Sequence, residues 1–297
     1  MKLLNTEAKK YTLGIYEKAI NAKFDWDTKF RIAKDSGFDF IEISIDENDS
    51  RIARLDWNND QIYQLRAIAN KYGMYFNSMC LSANRKLPLG SLDKEVQKKG
   101  LQLINKAFVF AKKLGIRIIQ LAGYDEYYNE SNQETKHYFL ENMKTVCNLA
   151  QYYSLSIAFE SMDTFFMGSL TRILNVVNYL DSPFLGIYPD IGNLTQFAKE
   201  NFESEIELAK NKIVAFHFKD TLPDKFKCVP FGSGSVDFVS ALLAIFKINY
   251  FGPYMIEMWS ENKKDETESE NIQKLKDAKQ FFETMYEKAL LEYGKNR

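Results

Sequence analysis

The chain has 297 residues, 45% hydrophobic and 27% charged, with 39 basic against 40 acidic side chains and a net charge of −1. That balance argues against a protein devoted to gripping nucleic acid, which needs a basic footprint, while the length suffices to bury a large core. Cys80, Cys147 and Cys228 are far apart and form no CxxC pair. Neither a disulfide framework nor a zinc knuckle is therefore expected, and a reducing cytoplasm is the natural compartment. The N-terminal stretch lacks an apolar run long enough for a signal peptide, and no segment is long enough to span a bilayer.

Short apolar runs alternate with longer amphipathic segments along the whole chain. The strand at Thr12–Tyr16 leads to a helix at Trp26–Ser36, Phe40–Ile45 to Asp60–Tyr72, and Tyr75–Ser82 to Lys94–Leu114. Ile116–Gly123 then leads to Glu134–Tyr153, Leu155–Met162 to Leu170–Leu180, and Leu185–Ile191 to Phe202–Lys210. The last two pairs are Ile213–Asp220 with Phe238–Ile248 and Pro253–Trp259 with Glu266–Glu292. Gly37, Gly73 and Gly115 fall just past helical segments, where a left-handed turn is needed. Regular alternation of this kind implies parallel strands with right-handed helical crossovers. Eight units without a dinucleotide fingerprint predict an α/β fold, a single (β/α)8 TIM barrel over residues 1–297, rather than an open doubly wound sheet.

In such a barrel the chemistry gathers at the C-terminal ends of the strands. The last four strands end on polar residues that interrupt apolar runs: Glu160 in AFESMD, Asp190 in IYPDIGN, His217 in AFHFKD and Glu257 in MIEMWS. Carboxylates buried there need compensation, and no comparably placed lysine or arginine offers itself to all three. One divalent metal ion would satisfy them together, and three carboxylates with one imidazole suit zinc, manganese or magnesium. Glu160 and Glu257 lie on strands three steps apart, so they can approach a substrate from different sides. With a chelated ketose, one glutamate removes the proton α to the carbonyl and the other returns one to the opposite face. That is epimerisation; return of the proton to the adjacent carbon would be aldose–ketose isomerisation, and the ligand set does not separate the two.

The segments LGIYEKA (13–19), GFDFIEISIDE (37–47), RLDW (54–57), SMCLSANRKLPLGS (78–91) and IRIIQLAGYDEYY (116–128) extend the argument. So do YPDIGNL (188–194), HFKDT (217–221), VPFGSG (229–234) and GPYMIEMWSE (252–261). Together they resemble the L-ribulose-5-phosphate (L-xylulose-5-phosphate) 3-epimerases of anaerobic L-ascorbate utilisation, members of the xylose-isomerase-like barrels. The resemblance covers nearly the whole chain. It implies a metal site of Glu160, Asp190, His217 and Glu257, with Glu160 and Glu257 also the acid–base pair. It further implies a phosphorylated pentulose as substrate, proton exchange at C3, and a homodimer. The chain departs from close relatives at Asn84, where they tend to carry His, and at Ser233, where they tend to carry Glu.

A phosphate requires an anchor. The loop after the seventh strand offers Lys219, Lys225, Lys227, Gly232 and Gly234, with Arg85 and Lys86 after the third strand as the rival clamp. Asn193, three residues past Asp190, can meet a sugar hydroxyl or cap a turn. Trp259, on the same strand face as Glu257, reads mainly as packing, and His137 as a surface residue. Three other functions stay open on these residues: isomerisation of a related ketose or a hydroxypyruvate-type substrate, a non-catalytic sugar-phosphate-binding barrel, and nucleic-acid chemistry of the apurinic-endonuclease kind. The last needs many histidine ligands, and the chain has two histidines.

Overall fold

The computed structural model describes residues 11–198 and 201–295. Seven parallel strands come first: β1 (Thr12–Tyr16), β2 (Phe40–Ile45), β3 (Tyr75–Leu81), β4 (Ile118–Leu121), β5 (Ser156–Glu160), β6 (Leu185–Tyr188) and β7 (Phe216–Phe218). An antiparallel hairpin follows, β8 (Asp220–Leu222) with β9 (Lys225–Val229), and then β10 (Pro253–Ile256). The parallel sheet runs β6-β5-β4-β3-β2-β1-β10-β7. Between β6 and β7 the seam is closed only by bridges of Ile187 with Ile213 and Asp190 with His217. The result is a nearly closed eight-stranded barrel with helices between the strands, as the alternation predicts.

Helices α1 (Trp26–Asp35), α2 (Asp49–Ile52), α3 (Asn59–Lys71), α4 (Lys94–Leu114), α5 (Gln133–Tyr153) and α6 (Leu170–Leu180) are followed by α7 (Ile191–Ala198), α8 (Phe202–Ala209), α9 (Phe238–Lys247) and α10 (Glu268–Lys295). Their ends have local causes. Asn58 forms a capping box with Gln61 at the start of α3, and Gly115, at φ 84°, ends α4 in the left-handed conformation. None of the described helices is long and apolar enough to cross a membrane.

Side chains alternate along each strand, so one set packs on the helices and the other fills the barrel. On β2, Ile41, Ile43 and Ile45 join the large outer core, while Phe40 packs inside with Tyr16, Cys80 and Met255. Ile118, Ala158, Tyr188 and Ala215 make a second interior cluster. Gly14 is required on β1, because a Cβ there would lie 2.1 Å from the Phe40 ring.

Two boundaries differ from the sequence reading. The seventh strand is short, and the segment beyond it is a hairpin rather than an irregular loop, tied by pairing of Asp220 with Val229. The sixth strand ends at Tyr188, because Asp190 caps the start of α7: its carboxylate accepts the Asn193 amide at 2.7 Å.

Candidate active site

Glu160 closes β5, Asp190 follows β6, His217 is the centre of β7, and Glu257 follows β10. The barrel brings all four together, and one donor atom from each lies within 4.8 Å of every other. Asp190 and His217 are fully buried, whereas Glu160 and Glu257 reach a cavity at the strand ends whose wall also carries Tyr16, Lys219 and Trp259.

His217 is held at both ring nitrogens. Its Nε2 is 2.9 Å from Glu42 Oε1, and its Nδ1 faces the cluster, 3.2 Å from Glu160 Oε1 and 3.9 Å from both Asp190 Oδ2 and Glu257 Oε2. Glu42, fully buried on β2, has its other oxygen filled by Ser78 Oγ at 2.6 Å and Tyr188 OH at 3.1 Å. Tyr188 also packs edge-on against the imidazole, with ring centroids 4.4 Å apart. Asp190 uses Oδ1 to cap α7, and its buried Oδ2 has no hydrogen-bond partner. The Lys219 ammonium lies 3.2 Å from that oxygen and 3.0 Å from Glu257 Oε2. The sequence offers no lysine for all three carboxylates, but the structure seats Lys219 between two of them.

The electrostatics are those of a site short of positive charge. Four buried carboxylates (Glu42, Glu160, Asp190 and Glu257) face one lysine and one histidine. Burial disfavours an imidazolium at His217, but Glu42 and Glu160 outweigh it and raise the histidine well above its ordinary range. Burial pushes Asp190 up to about 8 against the pull of Lys219, with Glu257 and Glu160 adding to the rise. Glu257 goes the other way: Lys219 and His217 overcome its burial and bring it down to about 2. Within the cluster, a proton is therefore favoured on Asp190 and His217 over Glu257. A divalent cation suits the same atoms, since Asp190 Oδ2, whose ion-pair partner is the Lys219 ammonium, two further carboxylates and a histidine fixed by Glu42 form a hard, mostly oxygen donor set.

A family model for the xylose isomerase-like TIM barrel matches residues 30–284. A protein of Mycoplasma pneumoniae named probable L-ribulose-5-phosphate 3-epimerase UlaE is 50% identical over 290 residues, covering 98% of this chain and 94% of that protein. The L-ribulose-5-phosphate 3-epimerase UlaE of Salmonella paratyphi C is 45% identical over 254 residues, 86% of this chain and 89% of its own. The chain belongs to this family of epimerases, within the xylose isomerase-like barrels. Among solved structures, the D-psicose 3-epimerase of Clostridium cellulolyticum H10 superposes with a TM-score of 0.76 at 16% identity. It covers 93% of this chain and 99% of the epimerase, a likeness of fold.

The remaining residues singled out for substrate contact fall in two groups. Lys219 and Arg85 line the cavity, and so does the exposed Lys227 on β9. Arg85 is stacked on Tyr124 and Tyr127, with its guanidinium carbon 5.2 and 4.7 Å from the ring centroids. Its buried Nε has no hydrogen-bond partner. Asn193 also lines the cavity: its amide nitrogen donates to the Ser161 carbonyl at 2.7 Å, and its buried Oδ1 is unpartnered. Gly232 and Gly234 are not brought to the site. Their amides each donate at 2.9 Å to Asp220 Oδ2, and a Cβ on Gly234 would lie 2.0 Å from Asp220 Oδ1. That loop carries its own internal anion.

Trp259 both walls the cavity and meets Tyr16 edge-on, at 6.1 Å between centroids. Asn84 turns its amide to the Leu87 carbonyl at 3.2 Å. Glu42, Ser78, Tyr188 and Gln120 go unnoticed when only strand ends are read. Each is nonetheless a polar residue inside an apolar strand and points into the barrel.

Proposed function

We propose that this protein interconverts L-xylulose 5-phosphate and L-ribulose 5-phosphate by proton exchange at C3. The observation that carries the proposal is the division within the donor cluster: Glu160 and Glu257 face the cavity, while Asp190 and His217 lie behind them, fully buried. Binding alone gives no reason for two cavity-facing carboxylates. An acid–base pair that works from two sides requires them.

Glu160, Asp190, His217 and Glu257 would hold one divalent cation, zinc or manganese, with magnesium as a further choice. When bound, it would polarise the ketose carbonyl and favour negative charge on that oxygen. The protein side chains do the rest. One glutamate takes the C3 proton, and the C–H electron pair becomes the C2–C3 double bond of an ene-diolate. The other glutamate delivers a proton to the opposite face of C3; the C2–C3 π pair becomes the new C–H bond, and the electron pair on the C2 oxygen re-forms the carbonyl. Each turnover leaves the two glutamates with exchanged protonation, ready for the reverse reaction. Lys219 and Asn193 Oδ1, both at the cavity wall, would meet substrate oxygens. Arg85 and Lys227, which have no carboxylate partner among the described residues, are the cations for the phosphate; the Asp220-filled loop at Gly232 and Gly234 is not.

Incubation with L-xylulose 5-phosphate in deuterated water, with and without a chelator, tests this reading. Deuterium at C3 with formation of L-ribulose 5-phosphate is expected, and the chelator should stop both. A product with its carbonyl moved would show an isomerase instead, and no exchange on any pentulose phosphate would leave a binding protein.

A further inference from the structure

We infer that Gln120 is a positioning residue, one that sets the orientation of the Glu160 carboxylate for proton transfer; this rests on the epimerase reading above. Gln120 is fully buried on β4, in register with Cys80 of β3 and Ala158 of β5. Ile119 and Leu121, on either side, belong to the outer core, so the Gln120 side chain points into the barrel. Glu160 lies two residues beyond Ala158 on the same strand face, one layer nearer the cavity. From the layer below, Gln120 Nε2 donates a hydrogen bond to Glu160 Oε2.

The bond divides the duties of the glutamate. Oε1 is on the His217 side of the cluster and Oε2 is on the amide. Torsion about the last bond of a glutamate is soft, so without the amide the carboxylate plane is free to turn. The amide orientation is fixed by the same contact, because a flipped Gln120 would set its own oxygen against a carboxylate oxygen. The other end of the amide shows that packing is not its purpose: Gln120 Oε1 is buried and has no hydrogen-bond partner. Stability alone disfavours such an atom, and a methionine would fill the same volume without it.

Glu257, the other half of the acid–base pair, is held at Oε2 by the Lys219 ammonium. The two glutamates therefore have unlike anchors, a neutral amide and a cation. Loss of Gln120 should disturb the side of the reaction served by Glu160 and leave that served by Glu257 intact.

The test is Gln120→Met beside Gln120→Asn, which keeps the amide but withdraws it by one methylene. Both are assayed at saturating metal, with metal content and melting temperature measured on the same samples. Expected are full metal occupancy, an unchanged KM and a kcat reduced about 10–100-fold in each variant, the range for residues that orient a site from behind. The primary isotope effect with C3-deuterated substrate should rise for one epimer and not for the other, a change that general loosening of the fold would not produce. A kcat within twofold of the parent at full occupancy, or an isotope effect that changes equally for both epimers, would overturn the assignment. If the unmodified protein shows no C3 exchange at all, the epimerase reading has failed instead.

Discussion

His217 Nε2 lies 2.9 Å from Glu42 Oε1, so the imidazole that presents Nδ1 to the carboxylate cluster is held from behind by a carboxylate two strands beyond its nearest neighbour on β10. Such a partner fixes the ring and selects which nitrogen is free for a cation. Glu42→Gln preserves shape but can present its amide nitrogen to His217 and lose the charge. Metal affinity is expected to fall about 10–100-fold, measured by titration of the metal-free protein. Affinity equal to that of the parent would remove Glu42 from the site.

How much of this was legible in the sequence depended on position along each strand. Glu160, Asp190, His217 and Glu257 stand where a barrel collects its chemistry, and their place in the chain was enough to predict that they cluster. Glu42 stands mid-strand in FIEISI, a run that alternates apolar and other residues. In a barrel with helices outside, such alternation marks a polar interior: the three isoleucines face the helices, and Glu42 and Ser44 face inward. Gln120 in IIQL carries the same signal. The glycines at 232 and 234 show the opposite case. Their spacing suggests an anion-binding loop, and the loop does bind an anion, but that anion is Asp220, twelve residues upstream of Gly232. Sequence spacing does not reveal a side chain that folds back to fill its own nest.

The upward shifts of His217 and Asp190 predict how metal uptake depends on pH. His217 is raised by Glu42 and Glu160 against its own burial, and Asp190 is raised to about 8 by burial and its carboxylate neighbours. A cation needs the unprotonated forms of both. Uptake should release protons at neutral pH, and affinity should weaken as pH falls below 8. Calorimetric titration in buffers of different ionisation enthalpy reads the proton count directly. Identical heats in all buffers would contradict the charge distribution described above.

Lys219 competes for the same oxygens. Its ammonium lies on Asp190 Oδ2 at 3.2 Å and Glu257 Oε2 at 3.0 Å, two atoms that a cation would claim. Lys219→Met removes the competitor and leaves the carboxylates less compensated. The metal-free variant should melt below the parent, whereas its metal affinity should be tighter. The lysine also faces the cavity, so kcat should fall despite the tighter binding. Weaker metal binding in this variant would mean that Lys219 supports the site rather than competing in it.

Glu160→Gln and Glu257→Gln should each abolish epimerisation, a loss of at least about 10²–10⁴-fold for a missing proton-transfer group. Full metal loading of each variant needs to be verified, since both side chains belong to the donor cluster. A Glu257→Gln protein turning over at near-normal rate would rule out the two-base scheme.

The barrel also depends on an ion-pair hub away from the reacting centre. Glu17, fully buried just past β1, accepts both Arg54 guanidinium nitrogens at 2.7 and 2.8 Å, Lys29 Nζ at 3.1 Å and the Ser44 amide at 2.9 Å. Burial alone would raise this carboxyl, but Arg54 and Lys29 outweigh it and hold it well below its ordinary value of 4.5. A carboxylate with a depressed native value contributes stability that is fully present above the unfolded value and lost as pH falls toward the native one. Melting temperature should therefore decline from about pH 4.5 downward, and Glu17→Gln should flatten that decline. At neutral pH the same substitution strands Arg54 and Lys29 without their anion and should cost about 3–5 kcal/mol in denaturant unfolding. A Glu17→Gln protein with the parent's stability at pH 7 would show that the hub adds nothing to the fold.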